Sequence, residues 1–416
     1  MGANGLRTGR QVLVTAAMAG LVVAGSAAAA AAAWALPRPA PGITSVSPRT
    51  GRDNAHAAFT VSTNWAQLGY SAAHTGFNPY EKVLSVSNAA RIVRDWSIRI
   101  GGGVGSSPAV VNGVVYVGSA DGSLYAVNAA TGAKRWSVRT GVNVFPSPAV
   151  ANGVVYDTAI DSDTSALNAA TGAERWRYPD GADYSSPAVG NGVVYISAYN
   201  GTLYALHAAT GALLWADNTG WVDLSSPAVA NGVVYIGTIE GTVNALDAAT
   251  GTKLWSVAIA STGYTFSAPA VANGVVYIGS ASGSVYALNA ATGAELWSFT
   301  TSSYIDSSPA VANGVVYIGS DDHKLYALDA ATGAKLWSFT TGGKVESSPA
   351  VANGVVYIGS GDNLYALDAA TGAKLWSYTT GGGVQSSPAV VNGMVYVGSY
   401  DHHLYAFGLP GEHHRP

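Results

Sequence analysis

Few side chains in this sequence have the type and placement to do chemistry. Asp306 and Glu346 stand at equivalent points of adjacent sequence repeats, just before a Ser-Ser-Pro step. Brought together, two such carboxylates would take a cation or an amine. Left apart, they are solvated loop acids with Lys344 as the nearest counter-ion. Trp221, Asp223, Asp183, Tyr184 and Tyr264 lie in loops where the repeat varies. An aromatic side chain there can stack a planar ligand or anchor a partner, the alternative for Trp221 being packing within its own loop. Asp157, Asp161 and Asp163 crowd one turn, and carboxylates at alternate positions can bind calcium. No EF-hand Gly and Glu follow, which favours a solvated turn. Asp321-Asp322-His323 and Asp401-His402-His403 are adjacent residues, and neighbours along a strand point apart rather than onto one ion. His413 and His414 belong to the terminus. With no Cys, the chain has no thiolate site, thiol nucleophile or disulfide. No Ser/His/Asp set or catalytic carboxylate pair stands out, so no residue is assigned a catalytic role and no metal site is expected.

The elements that position these residues follow from composition and repetition. The 416 residues carry a formal charge of −4, and only 11% are charged, against ~25% in ordinary soluble domains. That excludes a disordered polyelectrolyte and leaves no basic excess for nucleic acid. Arg7 and Arg10 precede an uncharged Ala-rich stretch from Gln11 to Ala35, ending in Ala33-Trp34-Ala35. Residues 1–35 therefore read as an export signal, the alternative being an uncleaved anchor. Either places the remainder outside the cytoplasm, secreted or anchored. Residues 36–62, with Pro37, Pro39, Pro41 and Pro48, read as a flexible linker, and 63–91 as a lead-in segment.

Beyond it one unit recurs eight times. Its Trp stands at Trp96, Trp136, Trp176, Trp215, Trp255, Trp297, Trp337 and Trp376, at spacings of 39 to 42 residues. In each unit the strands SPAVA and VVYIG are joined by Asn-Gly, the strongest two-residue hairpin signal. Two further strands, as LYAL and KLWSY, flank turns such as Asp368-Ala369-Ala370-Thr371-Gly372. Four short strands repeated eight times predict an all-β, eight-bladed β-propeller of four-stranded antiparallel blades over residues 92–408, with 409–416 as a tail. The Ser-Pro strand fits the crowded axis, its free edge facing the channel, where a strand Pro is tolerated. Trp fills the gap where blades splay apart. The last unit lacks a Trp strand, so the surplus strand around Trp96 is expected to complete the eighth blade and close the ring.

The string Ala366-x-Asp368-x-x-Thr371-Gly372-x-x-x-Trp376 resembles the tryptophan-docking motif of the quinoprotein-like (pyrroloquinoline quinone, PQQ) eight-bladed propellers. The segment Trp65–Pro79, WAQLGYSAAHTGFNP, is similar to the lead-in such proteins carry before their first blade. The family includes quinone-dependent dehydrogenases, the assembly lipoprotein BamB and exported binding propellers, so the resemblance implies a fold more than an activity. Its dehydrogenases hold PQQ with calcium through Glu, Asn, Asp, Arg and Trp residues. No assignable set stands out here, so PQQ and calcium are implied by resemblance only. The lipid-attachment Cys of BamB is also missing.

In a four-strand meander, the near-invariant first and third turns share one end, and the variable second turns and inter-blade links share the other. Variation therefore collects on one face around the channel mouth, where a ligand or partner is expected. Residues 140–252 carry two basic against ten acidic residues, so blades two to four form an acidic sector suited to a basic partner. The expectation is a monomeric, exported binding or scaffold module. A PQQ-dependent oxidoreductase of alcohols or sugars and a BamB-like envelope assembly factor are the alternatives.

Overall fold

The computed structural model describes residues 64–411, apart from 161–162, 180–184, 199, 221–224, 260–264 and 266. They form eight antiparallel four-stranded sheets, the blades of a propeller, one of which gains a fifth strand from the lead-in segment. Blade 1 runs Ala109–Val111, Val114–Gly118, Ser123–Asn128 and Lys134–Arg139, from axis to rim. Blade 8 takes Ala389–Val391, Met394–Ser399 and His403–Gly408 from the end of the chain and its rim strand, Val93–Arg99, from the beginning.

Local chemistry sets the turns. In the Asn-Gly hairpins both residues take positive φ, as Asn313 (51°) and Gly314 (79°) do. A type I′ turn requires this, and Asn and Gly tolerate it best. In the third turn the Asp368 carboxylate accepts from the Ala370 and Thr371 N–H groups at 2.9 and 2.8 Å. Gly372 follows at φ 73°, and a Cβ there would lie 2.6 Å from the Trp337 ring, so the tryptophan of blade 6 rests on the glycine of blade 7. The Trp337 indole N–H donates to the Ala369 carbonyl (3.1 Å), which also accepts from the Tyr317 hydroxyl (3.0 Å). The same indole bond joins Trp96, Trp136, Trp176, Trp215, Trp255 and Trp297 to the next blade round. Trp96 docks onto blade 1 at Ala129 and Gly132, so the rim strand shared by the two chain ends also carries the last blade-to-blade joint. Trp376 meets no such turn and packs edge-on against Phe407 (5.2 Å).

Nearer the axis a belt of serines links the blades. The N–H of the residue before each inner-strand Pro donates to the equivalent Ser hydroxyl of the next blade: Ser107 to Ser147, Ser147 to Ser186, Ser186 to Ser226, Ala268 to Ser308, Ser308 to Ser348, Ser348 to Ser387 and Ser387 to Ser107. The belt breaks between Ser226 and Ala268, which has no hydroxyl. Ala268→Ser supplies the missing acceptor and should raise stability by about 0.5–1.5 kcal/mol. A guanidinium midpoint that stays put or falls would refute this.

The inner-strand edges, expected to be free, are paired. The lead-in segment runs past all eight blades as a strap. Trp65 exchanges two backbone bonds with Val110, and the Ala66 carbonyl takes the Val150 N–H. The Gln67 amide brackets Val189, accepting its N–H and donating to its carbonyl. The carbonyls of Ala72, Ala73, Thr75 and Gly76 accept from Val229, Val271, Val311 and Val351. Phe77–Asn78 lies parallel to Ala350–Ala352, and the Asn78 amide reaches the Val390 carbonyl (2.9 Å). Backbone groups that sequence reading left facing a channel are thus satisfied, as buried ones must be. Flanking residues fasten the strap to the Asn-Gly end: Asn64 accepts from Asn112, Glu81 from Gly393, and Asn353 donates to Leu84. Trp65, Gln67, His74 and Asn78 are all buried. The channel is therefore occupied from that end.

Candidate functional site

The opposite end carries the second turns and the inter-blade links. Asp306 lies in the link that leads into blade 6, between strands Glu295–Thr300 and Ala310–Ala312. Buried Ile305 anchors that link beside it. Asp321 follows strand Val315–Ser320 of the same blade, and its N–H donates to the Tyr304 carbonyl (2.9 Å). Glu346 lies in the next link round, ahead of Ala350–Ala352. One carboxylate oxygen from each of the three lies within 4.8 Å of the other two.

Asp306 and Glu346 are therefore brought together, and Asp321, which sequence reasoning passed over, completes the group. The alternation rule held locally. Asp322 turns to the Tyr326 hydroxyl (2.5 Å), while Asp321 points to the cluster. What sequence could not display was convergence from a different link. Lys344 pairs with Asp321 at 2.5 Å, rather than with the two residues for which it was the nearest counter-ion. The Asp321 side chain is 3% exposed and that of Lys344 is 56% exposed, so the lysine reaches inward from solvent. One oxygen of Asp306 and one of Asp321 are buried without any hydrogen-bond partner. Burial, then the charges of Asp321 and Glu346, push the Asp306 carboxyl up to about 6, Lys344 offsetting part of this. Asp321 in turn holds the Lys344 ammonium protonated to higher pH.

Gln385 donates to Glu346 from the following link. Beside this pair lies a cavity of about 240 Å³ lined by Lys344, Glu346, Gly361, Gly383, Val384 and Gln385. Further round the mouth, Tyr400 and Phe145 face each other (6.4 Å). Gly103 and Gly105 lie against the Tyr400 ring, where a Cβ would come within 2.8–2.9 Å of it.

The remaining candidates fare differently. Asp183, Tyr184, Trp221, Asp223 and Tyr264 lie outside the described residues, as does Asp161. Asp163 pairs with Arg177 (3.6 Å). Asp157 is not the solvated turn residue expected: it is fully buried where most blades have Gly, and accepts from the Thr140 hydroxyl (2.6 Å). Burial pushes its carboxyl up to about 7. Among the described residues no helix is long and apolar enough to cross a membrane.

A family model described as "Outer membrane protein assembly factor BamB" matches residues 43–186, 180–267, 239–347 and 321–409. No curated protein matches the chain. Among solved structures, the quinohemoprotein alcohol dehydrogenase of Comamonas testosteroni superposes with a TM-score of 0.73 at 17% identity, over 86% of this chain and 82% of that one. A europium-containing methanol dehydrogenase gives 0.72 at 16% identity, over 83% and 98%. BamB from Moraxella catarrhalis gives 0.67 at 20% identity, over 78% and 99%. At such identities the likeness is one of fold. The repeat, the docking tryptophans and the match along nearly the whole propeller agree: the chain belongs to the PQQ-like repeat family of eight-bladed propellers whose model bears the BamB description.

Proposed function

We propose that this protein is an exported binding propeller that holds a partner or ligand at the variable-loop mouth of its ring. The observation that carries the reading is the contrast between the two channel ends. One is occupied by the strap, pinned to every inner strand. The other presents three converging carboxylates, two of them with buried oxygens lacking a donor, beside a small cavity. Export rests on the Arg7-to-Ala35 segment. The aromatic and acidic residues at 183–184, 221, 223 and 264 occupy variable positions of the sequence repeat, and the acidic charge of residues 140–252 favours a basic partner.

A quinone oxidoreductase is the second reading, since relatives of this fold are named dehydrogenases. The carboxylate trio offers the hard oxygen donors that calcium takes. The cavity beside it does not fit a fused three-ring quinone: its lining has neither an aromatic ring to stack on the rings nor an arginine for the acid groups. No step is therefore assigned to a quinone. Reconstituting the full chain with PQQ and calcium should give no shift in quinone absorbance and no dye reduction with ethanol or glucose. Either signal would replace the binding reading with the oxidoreductase one.

A further inference from the structure

We propose that the Asp306–Asp321–Glu346 cluster is a receptor for a primary alkylammonium group and that Lys344 is its built-in competitor. The inference rests on the variable-loop mouth being a binding surface and names the chemistry it recognises. An ammonium presents its N–H donors tetrahedrally, so acceptors bonded at about 2.8 Å stand roughly 4.6 Å apart. One oxygen from each of the three carboxylates lies within 4.8 Å of the other two, close enough for a single ammonium to reach all three.

The strongest independent sign is the state of Asp321. Its side chain is 97% buried by the 3% exposure figure, yet one of its oxygens has no donor at all. A carboxylate oxygen withdrawn from water and left unpaired costs free energy, which a ligand carrying several N–H groups relieves. Asp306 repeats the pattern with an unpartnered oxygen of its own. Lys344 already places an ammonium on the other Asp321 oxygen, so the cluster's shape accepts this head group. That occupant arrives on a largely exposed stem and covers only part of the acceptor set.

The adjoining cavity supplies room for the ligand's stem. Gly361, Gly383 and Val384 line it together with the Gln385–Glu346 pair. Neither glycine adds a side chain to the lining, and Gly383 borders the Tyr400 ring, to which a Cβ would stand at 3.7 Å. Three carboxylates against one lysine leave the site anionic, which excludes carboxylate and phosphate ligands. The same head group occurs on free diamines and on the lysines of a partner protein.

Calorimetric titration of the full-length protein at low salt tests this with cadaverine, Nα-acetyl-lysine N-methylamide, 1-pentanol and calcium chloride as probes. The expected result is saturable one-site binding of an amine and none of pentanol. Tighter binding of the lysine amide than of cadaverine assigns the site to a partner's lysine, and the reverse order to a free amine. Glu346→Gln and Asp321→Asn should each weaken binding at least tenfold, Lys344→Met should strengthen it about threefold or more, and Glu295→Gln on the exposed rim strand of blade 5 should leave it unchanged. Glu346 is partly exposed, so that variant keeps the test decisive should Asp321→Asn fail to fold. Binding of neither amine, binding that survives the carboxylate variants, or binding of calcium alone would overturn the proposal. A negative amine titration without quinone uptake removes only this inference, whereas quinone uptake removes the binding reading beneath it.

Discussion

Trp337→Ala should lower stability by about 3–5 kcal/mol, the range for deleting a large ring from a packed site. Three contacts vanish together. The indole N–H leaves the Ala369 carbonyl, the ring leaves the face of Gly372, and Tyr317 loses an aromatic neighbour 5.8 Å away. Because Gly372 has no side chain to fall into the gap, the site collapses poorly, and the cost should sit near the top of the range. Tyr317 still donates to Ala369, so the joint between blades 6 and 7 loosens without parting. Guanidinium denaturation followed by tryptophan fluorescence should show a lower midpoint, with amide exchange accelerated first along Lys335–Thr340 and Asn363–Asp368. A loss under 1 kcal/mol would mean that the docking ring is ornament rather than joint.

Acidification from pH 7 to 4 should weaken the fold through His74 by about 3 kcal/mol, the equivalent of its displaced titration. His74 is 2% exposed, neither ring nitrogen makes a well-formed hydrogen bond, and burial lowers its pKa to about 4 from 6.5, the nearby Pro269 backbone opposing part of that fall. The unfolded chain takes up the proton first, so stability is intact well above pH 6.5, drains away as the pH falls from 6.5 through 4, and levels off once the folded histidine is itself protonated. Asp157 acts in the opposite sense: its carboxyl, raised to about 7 from 3.8, contributes stability that is present below 3.8 and lost as pH rises through 7. The two partly cancel in the wild type. A comparison with His74→Asn isolates the histidine, and asparagine suits the φ of 53° at that position. The stability difference between the two proteins should shift by about 3 kcal/mol against the wild type over that interval. A constant difference would place His74 in contact with water or a donor.

The repeating part of the molecule was legible because each blade states its own rules. Asn-Gly demands a tight hairpin, Asp-x-x-Thr-Gly a bonded turn, and the Trp that follows needs the glycine of the next unit. The strap was not legible. Between Trp65 and Asn78 it has no period, and most of its pairing runs from its own carbonyls to valine N–H groups, an interaction that side-chain identity does not encode. Only Gln67 and Asn78 act through side chains, and in sequence they are two polar residues in a loop. The carboxylate cluster was half legible. Asp306 and Glu346 share a repeat position, so their convergence followed from counting, whereas Asp321 comes from a second turn on the same face, whose reach toward the links the repeat does not specify.

The strap also comes first in the order in which the ring's parts are made. Residues 65–78 and the strand Val93–Arg99 leave the ribosome before any complete blade exists. Each later blade contributes one valine contact to this segment, which is synthesised before it. The rim strand stays solitary throughout, its partner His403–Gly408 being among the last residues synthesised. A chain cut short before those residues lacks the partner of its rim strand and has no clasp to close the eighth blade.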